Sequence, residues 1–201
     1  MKTLPANHAW HFVGKTLRDG SPIPPDGETL VYKGPLEMCQ SGLHWSRNPF
    51  DALEYAPGAT LCLVTPGGTI IEPPSDNKGL SSERTIIARI DATELCRYFA
   101  RMCALSVSHL WNESDDPNNI VLEWLMTGDE SLRAIAWASA WASAWAIAWD
   151  SARAIAWDSA RASARDSAWA SAWDSAWASE WDSYKNEFTQ LVYECFEDSL
   201  P

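Results

Sequence analysis

Residues 60–71 read Thr-Leu-Cys-Leu-Val-Thr-Pro-Gly-Gly-Thr-Ile-Ile. Apolar and β-branched side chains fill Thr60–Val64 and Thr69–Ile71, and Pro66-Gly67-Gly68 between them is turn chemistry, so the stretch predicts strand, turn, strand. Similar short runs stand on either side of it, at Ala9–Val13, Thr29–Tyr32, Gly42–Trp45 and Thr85–Ile90. Strands therefore dominate the first ninety residues. Two helices interrupt or follow them. Asn48 is a good N-cap and Pro49 suits the first helical position, which predicts a short helix ending near Gly58. Asp91 and Glu94 form a capping-box-like pair ahead of a longer helix whose buried face is Leu95, Phe99, Met102, Cys103 and Leu105. The fold class is α+β, with a small mixed sheet in a domain spanning 1–127. A polar loop over Asn112–Asn119 and a short apolar helix over Ile120–Met126 lead out of it.

Residues 128–201 have a different character. From Arg133 to Ser183 the chain repeats every four residues, Trp or Arg alternating with Ala, Ser, Ile and Asp, with no Gly and no Pro. Ala is the best helix former and the usual breakers are missing, so this is a long helical region starting after Gly128, with Asp129 as cap and Glu130 in the first turn. Nine of the thirteen tryptophans fall between Trp137 and Trp181. A helix turns ~100° per residue, so the tryptophan stripe drifts ~40° per repeat, and a lone straight helix would carry indoles on every side. Right-handed coiling around partners or division into antiparallel segments resolves this, which makes homo-oligomerisation the expected role of the tail. The repeat gives way to Phe188, Leu191, Val192, Cys195 and Phe196, a closing amphipathic stretch.

Composition narrows the function. The 201 residues carry 27 acidic against 15 basic side chains, a net charge of −12, which repels a phosphate polymer and disfavours DNA or RNA as the main ligand. Ala134 to Trp149 is uncharged but short and Ser-rich for a membrane span, and the opening MKTLPANHAW lacks the apolar core of a secretory signal. Five irregularly spaced cysteines suit reduced thiols in a cytoplasm, and no Cys/His spacing suggests a metal. The common nucleophile, phosphate-loop and dinucleotide-binding motifs are also absent.

What remains is an ordered set: His11 in AWHFVG, His44 and Trp45 in SGLHWS, Tyr55 in DALEY and Glu83 in SSERTIIARI. The set resembles the ADP-ribosyltransferase superfamily. A strand bearing a His opens the domain, as Trp10-His11-Phe12 does here. A Gly-led aromatic strand follows some thirty residues later, with a further aromatic on the next helix, as in Gly42-Leu43-His44-Trp45 and Tyr55. A Glu then leads into a later strand, as Glu83 leads into Thr85–Ile90. The resemblance, covering residues 8–91, implies an ADP-ribosyltransferase-like fold that binds NAD or an ADP-ribose-derived nucleotide. It implies that His11 bonds a ribose hydroxyl, that His44 and Trp45 line the site, and that Tyr55 stacks on the nicotinamide. Glu83 would be the catalytic group, stabilising oxocarbenium-like charge as nicotinamide leaves.

The segment is also similar to an uncharacterised family of phage and bacterial genomes, on the core Gly42-Leu-His-Trp-Ser-Arg-Asn-Pro-Phe-Asp-Ala-Leu-Glu-Tyr-Ala-Pro-Gly58 followed by an Ala/Trp/Arg-rich tail. That likeness implies a phage-type accessory protein in the cytoplasm of a bacterial host, modifying a host protein or sequestering a nucleotide immune signal. The alternative is a non-enzymatic assembly protein acting through its repeat helix.

Overall fold

The computed structural model describes residues 7–74, 76–106, 108, 116, 118–139 and 166–197. Five strands, β1 (Ala9–Val13), β2 (Thr29–Val31), β3 (Leu43–Trp45), β4 (Thr60–Ile71) and β5 (Gly79–Asp91), form one sheet. The helices are α1 (Pro49–Leu53), α2 (Thr93–Ser106), α3 (Ile120–Thr127), α4 (130–139) and α5 (Asp166–Cys195). The α+β class holds, but every strand pair is antiparallel rather than mixed. The long β4–β5 hairpin sets this direction: β1 pairs with the outer edge of β4, and β2 and β3 share the outer edge of β5. No strand-helix-strand crossover links neighbouring strands, so nothing imposes a parallel pair.

The predicted turn at Pro66-Gly67-Gly68 does not form. Thr60–Ile71 is one bulged strand in which Pro66 lies opposite Arg84 and Gly67 opposite Glu83. Pro66 lies beyond the last residue paired to β1, where β4 has become an edge, and proline is tolerated there. Gly68 takes φ +65°, and an added Cβ would sit 2.2 Å from Ser82 Oγ. The turn residues are thus used for a bulge and a close approach. The sheet also bends back on itself. Ser46, immediately after β3, exchanges both backbone hydrogen bonds with Trp10 at 2.8 and 2.9 Å, so β3 connects β5 to β1.

Local cap chemistry behaves as the residues dictate. Asn48 Oδ1 accepts from the Phe50 amide at 2.8 Å and starts α1, which stops at Leu53 rather than near Gly58. Asp91 Oδ1 accepts from the Thr93 amide at 2.9 Å at the head of α2. Gly128, at φ +70°, closes α3, and Asp129 Oδ1 accepts from the Ser131 amide at 2.8 Å to open α4. Of the expected buried face of α2 only Phe99 is fully buried; Leu95, Met102, Cys103 and Leu105 are half-buried.

The chain divides into two compact units, the first comprising 1–96 with 183–201, the second 97–182. The sequence reading places its boundary at 127/128. In the first unit, alternation along β1 and β4 gives two apolar faces. One holds Ala9, Val13, Cys62 and Val64 with Trp45 and Ile86. The other holds Trp10, Phe12, Leu61 and Leu63, and it is covered by the end of α5. Trp10 stacks with Tyr193 (centroids 6.0 Å apart) and meets Phe196 edge-on (5.0 Å), while Phe188 meets Phe50 of α1 edge-on at 5.8 Å. Phe188, Val192 and Phe196, four residues apart, are fully buried. Lys185 Nζ pairs with Asp51 at 2.7 Å and Asn48 Nδ2 donates to Thr189 Oγ1 at 3.0 Å. The second unit has its own cluster, Val121, Leu125 and Ala136 with Ala104, Leu105, Ile120 and Trp124. The repeat is helical over 130–139 and from Asp166 onward. Residues 140–165 lie outside the described residues, as do the coiling and self-association expected of them. Among the described residues no helix is long and apolar enough to cross a membrane.

Candidate functional site

The site is built around a residue the motif reading passed over. Arg84 lies on β5 two residues before Ile86, and the strand's alternation turns both toward the face that holds Cys62, Val64 and Trp45. Arg84 is only 5% exposed. Its Nη1 donates to the His44 carbonyl, and among the described residues no carboxylate pairs with it. A guanidinium has five N–H donors, so most of its capacity is unspent. Burial brings Arg84 down to about 10, which leaves it fully charged at neutral pH. An isolated buried cation is costly unless something negative joins it.

Two histidines flank this charge. His11 stands opposite Cys62 in the β1–β4 ladder, hence on the Arg84 face. Burial first, then the positive charge of Arg84 and then His44, hold the His11 imidazole well below its usual 6.5, so it is neutral at pH 7. His44 is half-buried on β3, and its Nε2 accepts from the Cys39 amide at 3.1 Å. Burial lowers its proton affinity too; the Gly42 backbone opposes this, and Lys78, Arg84 and Arg18 each add positive charge. The Cys62 thiol is pushed up to about 11, chiefly by burial, and remains protonated.

Around His44 the rim is assembled from separate segments. Cys39 sits at φ +65°, an uncommon conformation for a non-glycine residue, in the tight 37–41 turn closed by Glu37 and Ser41. Arg18 Nη1 reaches the Gln40 carbonyl of that turn at 3.4 Å. Lys78 Nζ lies 4.2 Å from the centre of the Tyr55 ring. Tyr55 is 44% exposed, and its hydroxyl donates to Asn77 Oδ1 at 2.8 Å, while Asn77 Nδ2 engages Glu54 at 2.8 Å. Three cations thus act on His44, Arg84 from within and Lys78 and Arg18 from the edge, while the carboxylates of Glu54 and Asp76 lie on the same rim.

The five residues singled out by sequence fare differently. His11 and His44 both feel the charge of Arg84, which bonds the His44 carbonyl, and Tyr55 lies against Lys78, whose charge also acts on His44. Trp45, at 2% exposure, is core: its Nε1 donates to Ser81 Oγ at 3.2 Å and Arg47 stacks 4.4 Å above its ring. Its indole occupies the space a side chain at Gly79 would need. Glu83 is next to Arg84 in an unbroken ladder, opposite Val31 and Gly67, so the pleat sends it to the other face of β5. Its carboxylate lies beside Gly67 and Gly68, away from the face that carries His11. Arg84 was missed because SSERT reads as a solvated strand, and Lys78 because it precedes that strand in a polar turn. The available clue was that Arg84 and Ile86 share a parity.

Residues 7–98 match the model of a family described as a domain of unknown function (DUF7666). The matched stretch contains the whole sheet and all of the cationic cluster, and ends before the C-terminal helix that completes the core. No curated protein and no solved structure matches the chain.

Proposed function

We propose that the sheet domain is a nucleotide-binding module that takes NAD or an ADP-ribose-derived nucleotide by its phosphates at the cluster of Arg84, His11 and His44. The observation that carries this reading is the buried guanidinium of Arg84, which bonds the His44 carbonyl, shares a sheet face with His11 and pairs with no carboxylate among the described residues. Such donors suit a phosphate: the guanidinium supplies charge and a fork of N–H groups, and an imidazole adds a hydrogen bond or gains a proton once an anion is near. An ADP-ribosyltransferase-like arrangement of β1, β3 and β5 is the finer fold reading that belongs with it. Binding fits the geometry better than transfer, because Glu83, the residue assigned to the developing cation, projects from the opposite face of its strand. In a phage setting, a module of this kind would sequester a nucleotide signal.

Calorimetry of the full chain against NAD, ADP-ribose and cyclic nucleotides tests the reading. At least one should bind, and Arg84→Lys, which keeps the charge but loses the fork, should weaken it. No heat with any of them, from protein whose circular dichroism and melting are normal, would remove the proposal.

A further inference from the structure

The rim brings a second cation, Lys78, to the neighbourhood of His44. His44 is touched at both ends: its carbonyl by the Arg84 guanidinium, and its ring Nε2 by the Cys39 amide, in the turn beside Lys78. The two cations thus stand at the ends of one chain of contacts, Arg84 to His44 to Cys39 to Lys78, and arrive from different places, Arg84 from the middle of β5 and Lys78 from just before it. Tyr55 holds Lys78 by a cation–π contact, and its own hydroxyl is fixed by Asn77. Two carboxylates border that network: Glu54 accepts from Asn77, and Asp76 Oδ1 accepts from the Lys78 amide at 3.3 Å.

We propose that the site takes two linked phosphates, a diphosphate such as that of ADP-ribose, with Arg84 and His11 on the inner phosphate and Lys78 on the outer one. This rests on the nucleotide-binding reading above and narrows it to a ligand class. Tyr55 is then a positioning residue for Lys78. A single phosphate fills only the inner position, so AMP or inorganic phosphate gains nothing from Lys78.

The test is calorimetry of the full chain with four probes, inorganic phosphate, inorganic pyrophosphate, AMP and ADP-ribose, on wild type and on Lys78→Met. Wild type should prefer each diphosphate over its monophosphate counterpart by about 10-fold or more, the worth of one added charge-assisted contact. Lys78→Met should erase that preference, leaving AMP unchanged. Tyr55→Leu should move it in the same direction by a smaller factor. Equal wild-type affinity for AMP and ADP-ribose overturns the diphosphate assignment while leaving nucleotide binding intact, as does a Lys78→Met protein that weakens both ligands by the same factor or neither. If no probe binds, the nucleotide-binding reading itself falls, and this inference with it.

Discussion

Gly79 is where a single atom decides packing. A Cβ there would lie 2.3 Å from Cη2 of Trp45, inside a core whose indole has no room to retreat. Gly79→Ala should cost about 1–3 kcal/mol, the usual penalty of overpacking, read as a lower urea midpoint. The two histidines give the opposite kind of prediction, one that depends on solvent. Both imidazoles are held below 6.5 in the fold, so the unfolded chain binds protons more readily. Their stabilising contribution is complete above pH 6.5 and is lost as pH falls below it, with a slope of at most ~1.4 kcal/mol per pH unit for each. Thermal melts from pH 7.5 to 5 should show this decline, and His11→Gln should flatten it; an unchanged slope in that variant would mean the imidazole is solvated. His11 and His44 were legible in the sequence as strand residues. Arg84 was not, because its importance lies in what fails to neutralise it, and that depends on register across three strands.

The last turns of α5 act on the sheet more than on the repeat they extend. Phe188 is completely buried against Phe50, so Phe188→Ala should destabilise the sheet unit by about 3–5 kcal/mol. Lys185→Ala, which removes the partly exposed ion pair with Asp51, should cost no more than about 1 kcal/mol. Hydrogen exchange of the β1 amides separates the two, since only the first change should speed it markedly. Elements defined by neighbours in sequence were readable: Asn48, Asp91, Gly128 and Asp129 all act within four residues of themselves. Pro66-Gly67-Gly68 was misread for the complementary reason. Its local preference is a turn, and pairing to ten residues of β5 overrides it.

Charge has opposite signs at different distances. The chain as a whole repels polyanions at −12, while the site proposed at Arg84 would take a small one. A short duplex DNA should therefore show no binding by fluorescence anisotropy at ~0.15 M salt, where the Debye length is ~8 Å and only close charges matter, under conditions where ADP-ribose binds. A DNA affinity comparable to that of the nucleotide would show the site to be open and nonspecific. The sequence displayed the two compositional halves plainly, yet it hid that the end of the second half belongs with the first. Contacts between Trp10 and Phe196 leave no mark on either local segment.

That interleaving has a consequence for synthesis. A ribosome makes ~5–20 residues per second, so β1 waits through the translation of residues 97–182 before the helix that shields Trp10 emerges. The nascent sheet spends those seconds with an uncovered aromatic face, a natural target for a chaperone, and a ribosome stalling within the tryptophan repeats would release a chain unable to finish folding.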